Sequence, residues 1–377
     1  MTVRVAGIGL GRFGRRPEGS EALAREVAER ALEEVGRRPI DLLVVGTMLG
    51  ETFEGKGSWV PRIASEIGCE TAHGLRVEAA SATGAAAFHA AAIALESGRF
   101  DRALVVAVEK MTALPTPEVG RALAGALAPM EVAAGATMPG LAALVAQRYL
   151  ERTGFPVSVF DAVPVHARAR ASMNPHAQFR TPVTPEEVAA SRPIALPLRL
   201  LHCAAISDGA AAVVIERGRG PVEILGLGQG IDQFRLVDRA SLSRFAATRT
   251  AAERAYAMAG LGPGEIDVAE VHDAFAPFAL IDLEDLGLAS AEEAARAFSA
   301  DGHRTEGPWI NPSGGILGRG HPVGVSGLCA IAEVALQIGG AAGARQVPDR
   351  PRRGLAQSIG GLASHNFVTI LGRGEAA

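Results

Sequence analysis

The sequence predicts an α/β fold built from two similar halves around one core. Three observations predict it. Apolar strand-like runs alternate with helical ones up to about residue 110 and again after residue 220. The stretch ALAREVAERALEEVGRRPIDLLVVG shares its layout with RTAAERAYAMAGLGPGEIDVAEVHD: helix, glycine stop, short turn, Ile-Asp, apolar strand. Between the halves, residues 112–199 are rich in Pro, Ala and Arg and read as several short helices, an excursion packed over the core.

Taken in order, Val3–Ile8 reads as a strand, and Ser20 as the cap of a helix that runs to Val35 and stops at Gly36. Ile40–Val45 is a fully buried type of strand, and Pro61–Ile67 a short helix. Gly74–Ala79 is a strand feeding the alanine-rich helix Thr83–Ser97, which Gly98 ends. Arg102–Val108 and Gly209–Glu216 are further strands on either side of the excursion. In the second half, Val222–Leu227 is a strand, Ala246–Gly260 a helix and Ile266–Val271 a strand. Pro322–Gly339 gives a helix, and Gly354–Ile359 with Asn366–Leu371 a closing strand pair. The halves are placed at residues 1–218, with the loop domain at about 112–199, and 219–377.

Composition narrows the function. The chain has 377 residues, 48% apolar and 21% charged, enough for a large core. A net charge of −4 gives no electrostatic footprint for nucleic acid. Lys56 and Lys110 are the only lysines, which leaves Schiff-base chemistry two candidates and no motif. Cys69, Cys203 and Cys329 are few and far apart, so neither a disulfide framework nor a metal site is expected, and a cytoplasmic location fits. The N-terminus shows no signal-peptide core, and Pro129, Glu131 and Pro139 interrupt the longest apolar stretch, so no membrane span is expected. Gly9, Gly11 and Gly14 match a dinucleotide-binding G-x-G-x-x-G. Pro17 and Gly19 delay the helix, and no acid ends the next strand, so the run reads as a glycine-rich turn.

Four clusters carry the chemistry. VEAASATGAAAF places Ser81 between a strand and a helix N-terminus, where free backbone N–H groups stabilise negative charge. Seen alone, Ser81 reads simply as a good N-cap. EVHDAF puts His272 at the end of a buried strand, where a doubly wound sheet places ligands, or where a structural histidine sits. NPSGGILGRGHPVGVSG surrounds His321 with glycines, which let a ligand approach it closely. QSIGGLASHNF ends a strand at Ser358, with Gly360 and Gly361 able to present N–H donors; a hairpin turn or bulge reads the same residues.

Together and in this order, the clusters resemble the thiolase superfamily over nearly the whole chain, nearest to its archaeal and sterol-carrier-type branch with a His-Asp motif. VEKM at Val108–Met111, MNPHA at Met173–Ala177, PLRLLHCAAISDGAAAVV from Pro197 and Gly320–Pro322 add to the match. The resemblance implies a thiolase fold: five layers, αβαβα, with two duplicated halves and an inserted loop domain. It implies acyltransferase chemistry on acyl-CoA thioesters, forming or cleaving the carbon–carbon bond of a β-keto acyl-CoA, with coenzyme A as substrate and no covalently bound cofactor. The family's catalytic cysteine corresponds to Ser81, its oxyanion histidine to His272 and the histidine of its glycine loop to His321. The second cysteine corresponds to Ser358, and the N–H groups of Ser81 and Gly360 to an oxyanion hole. His202 stands where relatives usually have Asp. A homodimer or tetramer is implied, and some relatives work with a small zinc-ribbon/OB-fold partner.

Ser81 changes what the resemblance implies. A cysteine thiol ionises near pH 8.5 and lower at a helix N-terminus, whereas a serine hydroxyl needs an adjacent base. Passing an acyl group from a serine ester back to coenzyme A is uphill. Four readings stay open: a substitution that traps substrate, a one-way acyl-serine carrier, a non-covalent retro-aldol or retro-Claisen lyase, and a catalytically weak acyl-CoA-binding scaffold. Arg168, Arg170 and Arg180 are candidates for coenzyme A phosphates, with solvated surface as the alternative for each.

Overall fold

The computed structural model describes residues 2–36, 38–298 and 307–374. Met1 and residues 375–377, the outer ends of the two expected halves, lie outside these. The strands in chain order are β1 (Val3–Leu10), β2 (Leu42–Gly46), β3 (His73–Val77), β4 (Arg102–Lys110), β5 (Pro193–Ala195), β6 (Leu198–Arg199), β7 (Asp208–Arg217), β8 (Val222–Ile231), β9 (Val268–Glu270), β10 (Trp309–Ile310), β11 (Arg353–Gly360) and β12 (His365–Arg373).

The duplication is explicit in the topology. The first half orders its strands β3-β2-β4-β7-β1 and the second β10-β9-β11-β12-β8, the same permutation. Parallel and antiparallel pairings also match: β2 is parallel to β3 and β4 as β9 is to β10 and β11, and β7 and β12 close antiparallel. The two sets meet where β1 and β8 pair at Val5↔Val222 and Arg4↔Glu223.

Burial gives the five layers. β2 and β4 are buried along their whole length because helices cover both faces. Helices Ser20–Val35 and Trp59–Ile67 pack on the outer face of the first set, with Leu43, Val45, Leu104 and Val106 between them. Helices Thr83–Glu96 and Ser326–Gly339 form the middle layer and join both sets into one core. Helices Ala246–Ala259 and Ala276–Asp285 cover the outer face of the second set, and the loop-domain helix Met138–Thr153 packs against them. The loop domain carries five α-helices between Thr116 and Ala190 and the β5–β6 hairpin.

The N-terminal glycines have a packing role. A Cβ on Gly9 would lie 1.8 Å from the carbonyl oxygen of Val27, and one on Gly228 1.8 Å from that of Ala251. The runs GIGLG in β1 and GLGQG in β8 thus let equivalent helices lie directly on equivalent strands. Some expected boundaries move. Ser20 is the first helical residue, not the cap, and its hydroxyl bonds Glu54. The last long helix starts at Ser326, because Pro322–Val325 form a turn that caps it. Helix Ala276–Asp285 escapes periodicity because nine of its residues are buried, leaving no polar face to read.

Candidate active site

The turn after β3 is tightly built. Ala80 has φ +49°, and the N–H groups of Ala82 and Thr83 donate to the carbonyls of Ala79 and Ala80 at 3.0 and 3.1 Å. The Thr83 hydroxyl accepts from Ala79 N–H at 2.9 Å and donates to the Ala80 carbonyl at 2.6 Å. Ser81 rides on this turn one residue before the helix cap, which is Ala82, so its hydroxyl is not the N-cap that its sequence position allows. No hydrogen bond forms to its Oγ among the described residues.

The second half supplies two imidazoles. β9 ends at Glu270, and Asn311 holds the next residue in both directions: Val271 N–H donates to its Oδ1 at 2.7 Å and its amide donates to the Val271 carbonyl at 3.2 Å. His272 N–H donates to Gln357 Oε1 at 2.8 Å. Asp273 accepts from Ile316 N–H at 2.6 Å, which ties the strand end to the glycine loop. In that loop, His321 N–H donates to Ser207 Oγ at 3.0 Å, and its Nδ1 lies 2.8 Å from Ser326 Oγ. The two rings meet edge to face, centroids 5.4 Å apart.

Both rings are held neutral. Burial pushes His321 down to about 3, with the Arg319 cation adding to the effect. Burial drives His272 well below its usual value, followed by His321 and Arg319. Arg319 is buried beneath the loop, donating to Ser313 Oγ at 3.0 Å and lying 3.6 Å from Glu270. Glu109, at the end of β4, accepts from Thr47 Oγ1 and from the N–H groups of Met48, Leu49 and Gly324, which fixes the histidine loop to the first half. Burial raises this carboxyl to about 7 against the pull of those bonds.

The remaining expected residues sit where the halves touch. A Cβ on Gly360 would lie 2.6 Å from the Ala79 carbonyl oxygen, so the end of β11 abuts the Ser81 turn. Ser358 is buried with its Oγ unpartnered among the described residues, and a Cβ on Gly327 would lie 2.6 Å from it. The fold thus links the Ser81 turn to Gly360, Ser358 to the head of the last long helix, and His321 to His272. It makes no hydrogen bond from Ser81 Oγ to either ring.

No cysteine offers itself as a replacement nucleophile. Burial pushes Cys203 and Cys329 up to about 12 and raises Cys69. His202, just past the loop domain, bonds into it: its Nδ1 accepts from Arg199 N–H, which puts the proton on Nε2, 2.8 Å from Asp161 Oδ1. Arg168 stacks on Phe179 at 3.9 Å and Arg170 lies over Trp309 at 5.5 Å. Sequence reasoning named VEKM and the SDG segment without giving Glu109 or Ser207 a task. A carboxylate amid an otherwise apolar strand was the available signal. Ser326 and Arg319 were visible only as members of the glycine loop. Among the described residues no cluster could hold a metal ion, and no helix is long and apolar enough to cross a membrane.

Comparisons with known proteins agree with this architecture. The family profile "Thiolase, N-terminal domain" matches residues 8–194, and "Thiolase C-terminal domain-like" matches residues 228–373. The chain is 37% identical to the acetyl-CoA acetyltransferase of Methanothermobacter thermautotrophicus, covering 98% of this chain and 99% of the relative. It is 32% identical to the benzoylsuccinyl-CoA thiolase subunit BbsB of Thauera aromatica, over 95% and 94% of the two chains. A solved structure titled Ltp2-ChsH2(DUF35) aldolase superposes with a TM-score of 0.83 at 26% identity, covering 99% and 98%. The chain belongs to the thiolase superfamily, a family of enzymes that act on coenzyme A thioesters.

Proposed function

We propose that this chain makes or breaks a carbon–carbon bond beside the carbonyl of an acyl-CoA thioester, as a thiolase-like acyltransferase with Ser81 in the nucleophile's place. The observation that carries this reading is the pair of neutral imidazoles, 5.4 Å apart, at the end of a buried strand. Removing a proton next to a thioester carbonyl leaves negative charge on its oxygen. Preorganised neutral donors in a dry site stabilise such charge without reorganising. His272 is the oxyanion donor, and His321 the base that accepts the proton. The N–H groups of Ser81 and Gly360 face the oxygen of a tetrahedral intermediate. Ser358, buried with its Oγ unpartnered among the described residues, takes the place of the second cysteine. The acetyltransferase and thiolase relatives support the substrate class.

A second reading is favoured by two observations. Ser81 Oγ has no bond to a base, and the chain superposes closely on an aldolase assembly. In that reading the carbon–carbon bond breaks directly, with no acyl-serine, and a small zinc-ribbon/OB-fold subunit completes the enzyme. A homodimer or tetramer, a cytoplasmic location and a division of the chain at residues 218/219 belong to the same proposal.

Two variants decide between the routes. Ser81→Cys and Ser81→Ala are compared with the wild type on acetoacetyl-CoA plus coenzyme A, and on β-hydroxy acyl-CoAs. An acyl carrier gives a mass adduct on the Ser81 peptide and loses turnover in Ser81→Ala. The direct route keeps turnover in Ser81→Ala and shows no adduct. Binding of coenzyme A with no turnover of any β-keto or β-hydroxy acyl-CoA, with or without a partner, would overturn the enzymatic reading in favour of a scaffold.

A further inference from the structure

We infer that Ser326 fixes His321 in the tautomer with its proton on Nδ1 and its lone pair on Nε2, so that His321 meets the substrate first as a base and only afterwards as a donor. The inference rests on the function proposed above and adds an order of events to it.

Ser326 is buried and begins helix Ser326–Gly339. Its Oγ lies 2.8 Å from His321 Nδ1 and 3.3 Å from the Pro322 carbonyl oxygen. A hydroxyl has one proton to give and two lone pairs to receive with. If it donates to Pro322, Nδ1 must be the donor to Oγ, and both contacts are hydrogen bonds. If it donates to Nδ1 instead, the Pro322 contact is lost and Oγ accepts nothing from the ring. Pro322 O already accepts from the N–H groups of Val325 and Ser326, so it demands neither arrangement. The first arrangement makes one more hydrogen bond in a buried place, which favours it.

The other half of the molecule shows the same device with its direction settled. Thr83 begins the equivalent middle-layer helix. Its hydroxyl accepts from the backbone N–H of Ala79, which can only donate, and gives its own proton to the Ala80 carbonyl. Ser326, at the head of its own helix, then accepts from Nδ1–H and gives its proton to a carbonyl. In both halves the first-turn hydroxyl receives from the functional segment and donates back into the turn.

The groups facing His321 are the neutral His272 ring and the Arg319 cation; burial first, and then Arg319, oppose a positive charge on His321. The resting ring is therefore neutral, and only the tautomer is left to choose. In the reaction, Nε2 takes the proton from the substrate carbon and the C–H electron pair becomes the enolate. The new Nε2–H then donates to the thioester oxygen, while Nδ1–H stays on Ser326. In the condensing direction the enolate carbon attacks the acyl carbonyl, the acyl C–O bond to Ser81 breaks as the C–C bond forms, and the departing Ser81 oxygen takes the proton from Nε2; cleavage runs the same steps in reverse.

Histidine-15N-labelled protein tests this directly through long-range proton–nitrogen correlations, with His321 identified by its absence from folded His321→Gln. The expected wild-type pattern is a pyrrole-type Nδ1 and a pyridine-type Nε2. Ser326→Ala should move population to the Nε2–H tautomer. It should also lower kcat on acetoacetyl-CoA by on the order of tenfold, part of the roughly 10²–10⁴-fold a positioned base contributes, with KM unchanged. Ser326→Thr, which copies Thr83, should restore both. A wild-type Nε2–H pattern, or an alanine variant with the wild-type tautomer and kcat, overturns the inference. If the wild type does not turn over acetoacetyl-CoA, the functional reading fails on that substrate while the spectrum still decides the tautomer.

Discussion

The two middle-layer helices begin alike and serve different chemistry. Thr83 and Ser326 are their first residues, and Gly84 and Gly327 their second. A Cβ on Gly84 would lie 2.8 Å from Leu328 N, and one on Gly327 2.9 Å from Ala85 N, so each helix head presses its glycine into the other. Past that shared crossing the halves diverge. The first-half head carries Ser81 on a turn pinned through the N–H groups of Ala79, Ala82 and Thr83, while Ser81 Oγ has no bond among the described residues. The second-half head carries His321 with both its backbone N–H and its ring bonded, against a second histidine anchored through its own backbone. The duplication built one frame twice, and the charge-handling groups were refined in one copy. Under the proposed function, the difference puts the base and the oxyanion histidine in the second half and leaves Ser81 as the position that sorts the routes.

The largest effects should therefore fall on the histidines. His321→Ala removes the base and is expected to lower kcat/KM by roughly 10²–10⁴-fold. His272→Ala removes an oxyanion donor and is expected to cost about 10²–10³-fold in kcat. Steady-state kinetics on acetoacetyl-CoA with folded variants checks both. Ser81→Ala then sorts the routes: turnover lost beyond either histidine variant marks the acyl-serine route, and turnover kept marks the direct one.

The crossing itself comes next. Gly84→Ala and Gly327→Ala each push a methyl group into backbone of the opposite helix, where side-chain adjustment cannot relieve it. Overpacking of this kind costs about 1–3 kcal/mol. Because both methyls enter one crossing, the double variant should depart from the sum of the singles. Urea unfolding measures all three. Wild-type midpoints for the single variants would mean the helix heads can part, and the shared frame would then be looser than the contacts say.

Much of this was legible in the sequence, and the exceptions have physical causes. Strand and helix order, the repeat and the loop excursion follow from periodicities that local chemistry sets, and β4 and β7 were placed to within a residue or two of their bounds. Helix Ala276–Asp285 was missed because burial on all sides erases the polar stripe. In the site, His272 and His321 stood out through their glycine-rich or strand-end surroundings. Glu109 did not, because its partners Thr47, Met48, Leu49 and Gly324 come from segments far apart in the chain. The glycines at 9, 11 and 14 read as a turn once Pro17 and Gly19 argued against a nucleotide site, but Gly9 lies inside β1, where it and Gly228 of β8 let a helix close in. A motif of small residues says that something comes close; only the fold says what.

The smallest expected effect separates the helices by their buried charge. His89 lies inside Thr83–Glu96 with its Nε2 2.9 Å from Thr369 Oγ1, and burial pushes it down to about 3. An unfolded histidine takes its proton near 6.5, so below that pH the unfolded chain binds a proton the fold refuses. His89 and His321 thus contribute stability that is whole above pH 6.5 and is lost as pH falls toward 3. Glu109 and Glu270 act with the opposite sign. Burial raises both to about 7 from 4.5, so their contribution is whole below 4.5 and is lost as pH rises toward 7. Between 4.5 and 6.5 the two sets oppose and the stability curve should be shallow. Below 4.5 the carboxyl part is constant, the histidine part continues, and acid unfolding should steepen. His89→Gln keeps a polar partner for Thr369 and removes one titration. Urea midpoints from pH 7 down to 4 should then fall less steeply, by up to about one proton of slope. An unchanged slope would mean that the first-half helix takes no part in the acid sensitivity, which would then belong to the other buried histidines, His321 and His166 among them.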